Sequence, residues 1–308
     1  MVKLKLTIFT PTYNRAYTLY KCYESLKRQS EKNFKWLIID DGSSDGTEKM
    51  VEKWKGEKND FDILYYYQKN QGMHGAHNTA YSLIDTELNV CIDSDDYMTD
   101  DAVEKILKFW QTNKDKKICG FAALNAKENG ELIGTRFPKD LKTSKSFELY
   151  SKHGVRGDKK FIYRTEITKL YPYPLFKGEK YVGLDYKYKK YDLDYELALM
   201  NEVVCIVEYL EDGSSKNMLN QYLKNPKGFS FYRKENMKYP NTGLLYKYKE
   251  CIHYVASSII CKNKSFLKES PLKILTFLAL PAGYIFFLYI LKNAGEDNKG
   301  AFLWKYFI

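Results

Sequence analysis

The first 125 residues predict an α/β fold organised around a mainly parallel sheet. Three observations carry that expectation: short β-rich runs recur, amphipathic helix-like stretches separate most of them, and polar, turn-forming motifs stand where the runs end. LKLTIFT (4–10) opens the series, TLYKCYESLKRQ follows Tyr17 as the first helical stretch, and KWLIID (35–40) is the second strand. GTEKMVEKWK, after Asp45, starts the next helix; FDILYYY (61–67) and LNVCID (88–93) are the third and fourth strands. DDAVEKILKFWQ, after Thr99, carries Val103, Ile106, Leu107 and Trp110 at helical spacing, and ICGFAAL (118–124) returns to the sheet. This alternation predicts right-handed crossovers between parallel strands. Beyond residue 130 the rhythm weakens into Tyr- and Lys-rich sequence with one further strand, VVCIVEY (203–209), and a soft boundary near 215 introduces a helical C-terminal part.

With 44% hydrophobic and 29% charged residues, the chain has the composition of an ordered globular protein, which excludes disordered and collagenous classes. Lys and Arg total 49 against 39 Asp and Glu; the resulting +10 favours anionic partners such as phosphorylated small molecules or acidic lipid. The basic residues form no dense block beside stacking aromatics, so no nucleic-acid partner is expected. Six scattered cysteines without Cys-x-x-Cys, and four histidines without HExxH, argue against a disulfide scaffold and a zinc site. The N-terminus MVKLKLTIFTPTYN lacks the features of a secretory signal, which predicts a cytoplasmic location. Residues 274–291, ILTFLALPAGYIFFLYIL, carry no charge and are broken by Pro281-Ala282-Gly283. Attachment to the inner face of the membrane, a span, burial and a contact in a homo-oligomer are all open for them.

Ligands of such sheets bind outside the carboxyl ends of the strands, where TPTYNR, DDGSSDGT and DSDD should converge on one rim. Asp93-Ser94-Asp95-Asp96 follows the apolar run NVCI, so its carboxylates are held at a strand terminus. Carboxylate oxygens suit Mg²⁺ or Mn²⁺, which keep positions open for phosphate oxygens. An isolated DxD is equally an acidic turn capping the next helix. Likewise Asp40 to Thr47 is either a well-capped strand-to-helix connection or an acid fixed where it accepts from the imide N–H of a uracil.

Four motifs in order give the chain a family resemblance: Thr10-Pro11-Thr12-Tyr13-Asn14-Arg15, Ile38 to Thr47, Asn70-Gln71-Gly72 followed by Asn78 and Ala80, and Asp93-Ser94-Asp95-Asp96. Over roughly the first 100 residues the chain resembles glycosyltransferases of family 2, mostly inverting enzymes of GT-A fold that use nucleotide sugars. The resemblance implies a Rossmann-like nucleotide-binding sheet, and hence a GT-A domain over 1–215 (nucleotide half 1–125, acceptor half 126–215) with a helical appendage over 216–308. It implies a nucleotide-sugar donor, UDP-linked by expectation, bordered by Pro11, Thr12, Tyr13 and Arg15 with Asp40 on the uracil. Asp93, Ser94 and Asp95 would meet the donor, with Asp93 and Asp95 on Mn²⁺ or Mg²⁺ and Asp95 the better direct ligand. Asp41 belongs to the donor-binding loop, which it and Ser43 are expected to organise. Gly72 and Asn78 belong to a glycine-rich helix start whose free N–H groups suit phosphate, and beside them His74 and His77 divide between packing and donor contact.

An inverting transfer needs a carboxylate to deprotonate the acceptor hydroxyl. Gly178 to Tyr186 is similar to the region where many family members carry a Glu-Asp pair; Leu184 replaces the first acid, leaving Asp185 as the base, with Glu179 and Asp158 as alternatives. Gly157-Asp158-Lys159-Lys160 before Phe161 resembles an acceptor-side stretch and also reads as an exposed turn. No Trp follows an Arg, so the Gln-x-x-Arg-Trp signature of processive synthases is missing and addition of one sugar to a glycan or lipid-linked acceptor is expected, in bacterial surface-polysaccharide synthesis. A sugar-nucleotide nucleotidyltransferase is the competing enzyme, although TPTYNR is not a glycine-rich phosphate loop. An inactive membrane-associated scaffold is the competing non-enzyme. Most of the 28 tyrosines read as packing.

Overall fold

The computed structural model of the protein describes residues 5–208 and 218–294. By its internal contacts the chain divides into two compact units, Met1–Pro172 with Lys187–Leu210, and Tyr173–Tyr186 with Glu211–Ile308.

Among its described residues the first unit holds a nine-stranded sheet. Its strands are β1 (Leu6–Thr12), β2 (Phe34–Asp40), β3 (Asp62–Tyr67), β4 (Leu88–Cys91), β5 (Tyr97–Met98), β6 (Ile118–Ala126), β7 (Thr143–Ser144), β8 (Lys159–Arg164) and β9 (Glu196–Ile206). The main path runs β3-β2-β1-β4-β8-β6-β9-β5, with β7 paired to β9. β3, β2, β1 and β4 are mutually parallel, as their alternation with helices predicts. The helices between them are α1 (Ala16–Lys27), α2 (Thr47–Gly56) and α3 (Met73–Leu83), and α4 (Ala102–Asn113) follows β5. The second half departs from that pattern: β8 enters antiparallel between β4 and β6, and β9 lies parallel to β6.

Strand periodicity sorts the core. Leu6, Ile8, Trp36, Ile38, Leu88 and Val90 join Leu19 and Leu26 of α1, Val51 and Trp54 of α2 and Ile106 of α4 in one cluster. Phe9, one position out of phase, meets α3 instead, edge-on to His77 at 5.1 Å and to Tyr81 at 5.4 Å. The sheet is thus covered on both faces, and its central strands read as near-continuous apolar runs. A further cluster joins Phe137, Leu149 of α5 (Ser146–Ser151), Ile167 of α6 (Thr165–Thr168) and Tyr191 at the end of α7 (Asp185–Tyr191) to β6 and β8.

The second unit is helical from Met218 onward in its described residues, with a non-helical stretch over 173–184. It contains α8 (Met218–Lys224), α9 (Pro226–Met237), α10 (Leu244–Ile260), α11 (Phe266–Glu269), α12 (Lys273–Leu278) and α13 (Leu280–Asn293). Tyr222, Phe229, Tyr254, Phe286 and Ile290 lie in its core. The apolar run 274–291 forms two helices, α12 and α13, parted next to Pro281, because proline is accommodated in the first turn of a helix and not in its interior. No helix among the described residues is long and apolar enough to cross a membrane.

Candidate functional site

Strand order reverses beside β1: the chain moves outward through β2 and β3, then returns to β4 on the other side. In open α/β sheets such a reversal is where ligands bind, outside the carboxyl ends of the strands, here those of β1 and β4. Register makes those ends unequal. Thr12, at the end of β1, pairs with Asp40, whereas β4 stops at Cys91, opposite Phe9. Strand 88–93 of the sequence reading is therefore two residues shorter, and Asp93 to Asp96 leave the sheet as a loop.

The rim is laced by short polar contacts. Asn14 adopts φ 52° without being glycine, and both its backbone and its side chain fix the turn: its backbone N–H donates to Ser43 Oγ (2.9 Å) and its side-chain Oδ1 accepts from Ser44 N–H (2.8 Å). Asp45 accepts from Ala16 N–H (2.9 Å), at the first turn of α1, and from the Thr47 hydroxyl (2.6 Å). Burial opposes the charge on Asp45, but these hydrogen bonds prevail and hold its carboxyl below the usual range. Gly42, at φ 90°, lets the chain pass Asn70, whose backbone N would stand 3.0 Å from an added Cβ.

Asp40 is buried, its carboxylate accepting from Ser43 N–H (2.7 Å) and the Tyr65 hydroxyl (2.7 Å). Burial, then the hydrogen bond to Asp40 and its charge, push the Tyr65 phenol up, so it stays a donor. Asp41 faces the next loop, accepting from Gln68 Nε2 (2.7 Å), Gln71 N–H (2.8 Å) and Gly72 N–H (2.7 Å). Its carboxylate also occupies the amides of Gln71 and Gly72 that the sequence offers to phosphate, because a negative charge at the start of α3 is favourable whichever group supplies it.

Pro11 and Thr12 are buried at the tip of β1, Tyr13 is exposed, and Arg15 lies with its guanidinium over the Tyr17 ring at 5.5 Å. Asn78 is half-buried on α3. His74 and His77 both point into the protein; burial lowers each to about 4, so the rings are neutral at physiological pH. His77 Nδ1 lies 3.1 Å from the Tyr81 hydroxyl, and its edge contact with Phe9 makes it a packing residue of α3.

In the DSDD loop the residues alternate in exposure. Asp93 and Asp95 are half-buried and accessible, while Ser94 and Asp96 are buried. Burial and the adjacent charge of Asp93 raise the Asp95 carboxyl, whereas Arg15 and Lys160 draw it down. No group of three or more His, Cys, Asp or Glu able to hold a metal occurs among the described residues; Asp93 and Asp95 are two carboxylates, and Mg²⁺ and Mn²⁺ sites commonly use one or two with water and phosphate oxygens in the other positions.

Asp96 has a different partner. Lys160 of β8, 64 residues away, reaches it at 3.4 Å with both side chains at most 10% exposed. Burial raises the Asp96 carboxyl; burial also disfavours the Lys160 charge, but the carboxylates of Asp96 and Asp93 beside it favour it and hold the amine protonated. Lys160→Met should lower stability by about 3–5 kcal/mol, since it leaves Asp96 buried without its counter-charge. Denaturant unfolding measures this, and adding Asp96→Asn should recover part of the loss; an unchanged midpoint in Lys160→Met would remove the pair from the folding argument. The lysine was visible in the sequence only as one of a pair in a turn. Its neighbour Lys159 turns the other way, its Nζ donating to the carbonyls of Arg156 (2.7 Å), Ile133 (3.2 Å) and Gly157 (3.2 Å). A further buried cation, Lys187, lies 4.2 Å from the Tyr81 ring centroid and donates to Thr168 O; burial lowers it to about 7.

Asp185 and Glu179 belong to the second unit, and Asp158 to the first. Asp185 opens α7, and its Oδ2 accepts from the Tyr232 hydroxyl of α9 at 2.6 Å. Glu179 accepts at Oε1 from Lys227 N–H (3.1 Å) and at Oε2 from Gly228 N–H (2.8 Å), capping the start of α9. Asp158 is exposed just before β8.

Residues 7–171 match the sequence model described as Glycosyl transferase family 2. The chain is 32% identical over 108 residues to "Glycosyltransferase GlyA" of Streptococcus pneumoniae, a match covering 35% of this chain and 15% of that protein. It is 30% identical over 118 residues to "Putative glycosyltransferase EpsH" of Bacillus subtilis, covering 38% and 34%. The matches span at most 34% of these two relatives' own length. Among solved structures, S. aureus TarS 1-349 in complex with UDP-GlcNAc shares the fold with a TM-score of 0.61 at 16% identity, over 94% of this chain and 91% of that one.

Proposed function

The chain belongs to glycosyl transferase family 2, and on that premise we propose that it moves a single sugar, with inversion, from a nucleotide sugar to a glycan or lipid-linked acceptor in bacterial surface-polysaccharide synthesis. The observation that carries this reading is the DSDD loop, which leaves the sheet at its switch point with Asp93 and Asp95 accessible and Asp96 anchored by Lys160. A divalent cation held by Asp93 and Asp95 would stabilise the departing diphosphate.

The donor base is expected against Pro11, Thr12 and Tyr13. Asp40 keeps acceptor capacity for a uracil imide, since an ionised carboxylate offers about four lone-pair sites and two are engaged. The buried Thr12 Oγ1, which has no hydrogen-bond partner among the described residues, supports a polar ligand at the same tip. The UDP-GlcNAc carried by S. aureus TarS is consistent with a uridine donor. In the transfer, a bond forms between the acceptor oxygen and the anomeric carbon as the bond to the diphosphate breaks. The acceptor proton passes to a carboxylate, assigned to Asp185 by resemblance. The engagement of Glu179 as a helix cap favours that choice.

Calorimetric titration of UDP, GDP and CDP, with Mn²⁺ and then with EDTA, tests the donor assignment. Metal-dependent, UDP-selective binding is expected. Failure of every nucleotide to bind would overturn the reading and favour the inactive scaffold; release of pyrophosphate from a nucleoside triphosphate would favour the nucleotidyltransferase.

A further inference from the structure

α13 is apolar on every side except at its end. One face, with Gly283, Phe286 and Ile290, is buried against the helical core. At Gly283 the backbone comes so close to α10 that an added Cβ would stand 2.5 Å from the Val255 side chain. The other face, with Tyr284, Ile285, Leu288 and Leu291 at helical spacing, is exposed, Ile285 to 65%. α12 repeats the arrangement: Thr276 is buried while Ile274 is 80% and Phe277 61% exposed, with Leu278 beside them. Single exposed apolar residues are ordinary on a protein surface, whereas two consecutive helices with apolar stripes facing water mark a contact surface.

Charge selects the occupant. Between Leu244 and Ala294 there are seven lysines and two glutamates. Both acids are already paired, Glu250 with Arg233 at 3.2 Å and Glu269 with Lys234 at 3.4 Å. Lys273 and Lys292, which bracket the two stripes, are exposed, as are Lys262, Lys264 and Lys268. Two copies of a chain of charge +10 would bring lysine against lysine across such a face. An anionic lipid surface meets both the apolar stripe and its cationic border. We propose that the α12–α13 face docks on an anionic bilayer, with Ile274, Phe277, Ile285 and Leu288 entering the headgroup boundary and Lys273 and Lys292 on the phosphates. Such a surface lies on the membrane without spanning it, in keeping with helices too short to cross.

The test is co-sedimentation of the full chain with vesicles of phosphatidylcholine alone and of phosphatidylcholine mixed with phosphatidylglycerol. Binding to the mixed vesicles is expected, weakening with added salt. Ile285→Glu with Leu288→Glu should abolish it. Lys273→Glu with Lys292→Glu should weaken it roughly tenfold or more, since each basic residue near an anionic surface contributes about 1 kcal/mol. Far-ultraviolet dichroism and the denaturant-unfolding midpoint serve as fold controls; if the double glutamate variant unfolds, Leu288→Gln and the lysine reversals carry the comparison. Equal binding to both vesicles, no binding to either, or full binding by folded Ile285→Glu, Leu288→Glu protein would each overturn the proposal. Sedimentation velocity adds the remaining arm: self-association dispersed by Leu288→Glu would give the face to a second copy. Nothing in this test depends on sugar transfer, so it stands or falls apart from the donor assignment.

Discussion

Asp95→Asn should lower the rate of sugar transfer by about a thousandfold or more and remove the dependence of donor affinity on Mn²⁺. The substitution keeps the shape and one oxygen while deleting the charge, so the loss reports on charge stabilisation at the diphosphate; a thousandfold corresponds to about 4 kcal/mol. Asp95 is expected to matter more than Asp93 because their surroundings differ. One oxygen of Asp93 lies 3.7 Å from the Cys91 thiol, whereas Asp95 is raised by burial and by Asp93 itself, a cost that a bound cation would relieve. Single-turnover transfer and calorimetry with and without Mn²⁺ measure the two effects. Asp96→Asn is the discriminating control: it should act chiefly on stability, through Lys160. Wild-type turnover by Asp95→Asn would sink the assignment of this loop to the donor.

The parallel half of the sheet was legible because its signals are local. Each of β1 to β4 is an apolar run closed by turn-forming residues, and the motifs at Thr12, Asp40 and Asp93 stand at strand ends in the structure as in the sequence. What could not be read depends on partners far along the chain. The Asp96–Lys160 pair joins residues from β5's approach and from β8, a strand whose antiparallel insertion between β4 and β6 no periodicity announces. β9 starts at Glu196, seven residues before the predicted VVCIVEY, since ELALMNE mixes buried and half-buried positions against irregular register with β6. Asp41 and Glu179 illustrate the same limit at single residues. Both read as candidate ligands or bases, and both spend their oxygens on backbone N–H groups of loops or helices about 30 to 50 residues further on. Local pattern fixes where an acid sits on a strand or turn; only tertiary pairing decides whether its lone pairs remain available.

Asp185→Asn should reduce kcat by about a hundredfold to ten-thousandfold with little change in the donor KM, as loss of a general base does. Tyr232 supplies a finer test of the same role. Its hydroxyl donates to Asp185 Oδ2, and its ring packs so close to Gly183 that an added Cβ there would meet it at 2.8 Å. A hydrogen bond to the ionised carboxylate favours that form, so Tyr232→Phe should raise the Asp185 pKa. A base must be ionised to accept the acceptor proton; with a raised pKa a larger fraction is protonated at low pH, and the acid limb of the kcat profile should move to higher pH while the alkaline plateau falls less. Gly183→Ala should give the same shift in milder form by displacing the ring. Glu179→Gln, by contrast, weakens the cap of α9 and should lower stability without moving the acid limb. If Asp185→Asn turns over normally, the base lies elsewhere; if it is inactive but Tyr232→Phe leaves the pH profile unmoved, Asp185 acts without the help of this hydrogen bond.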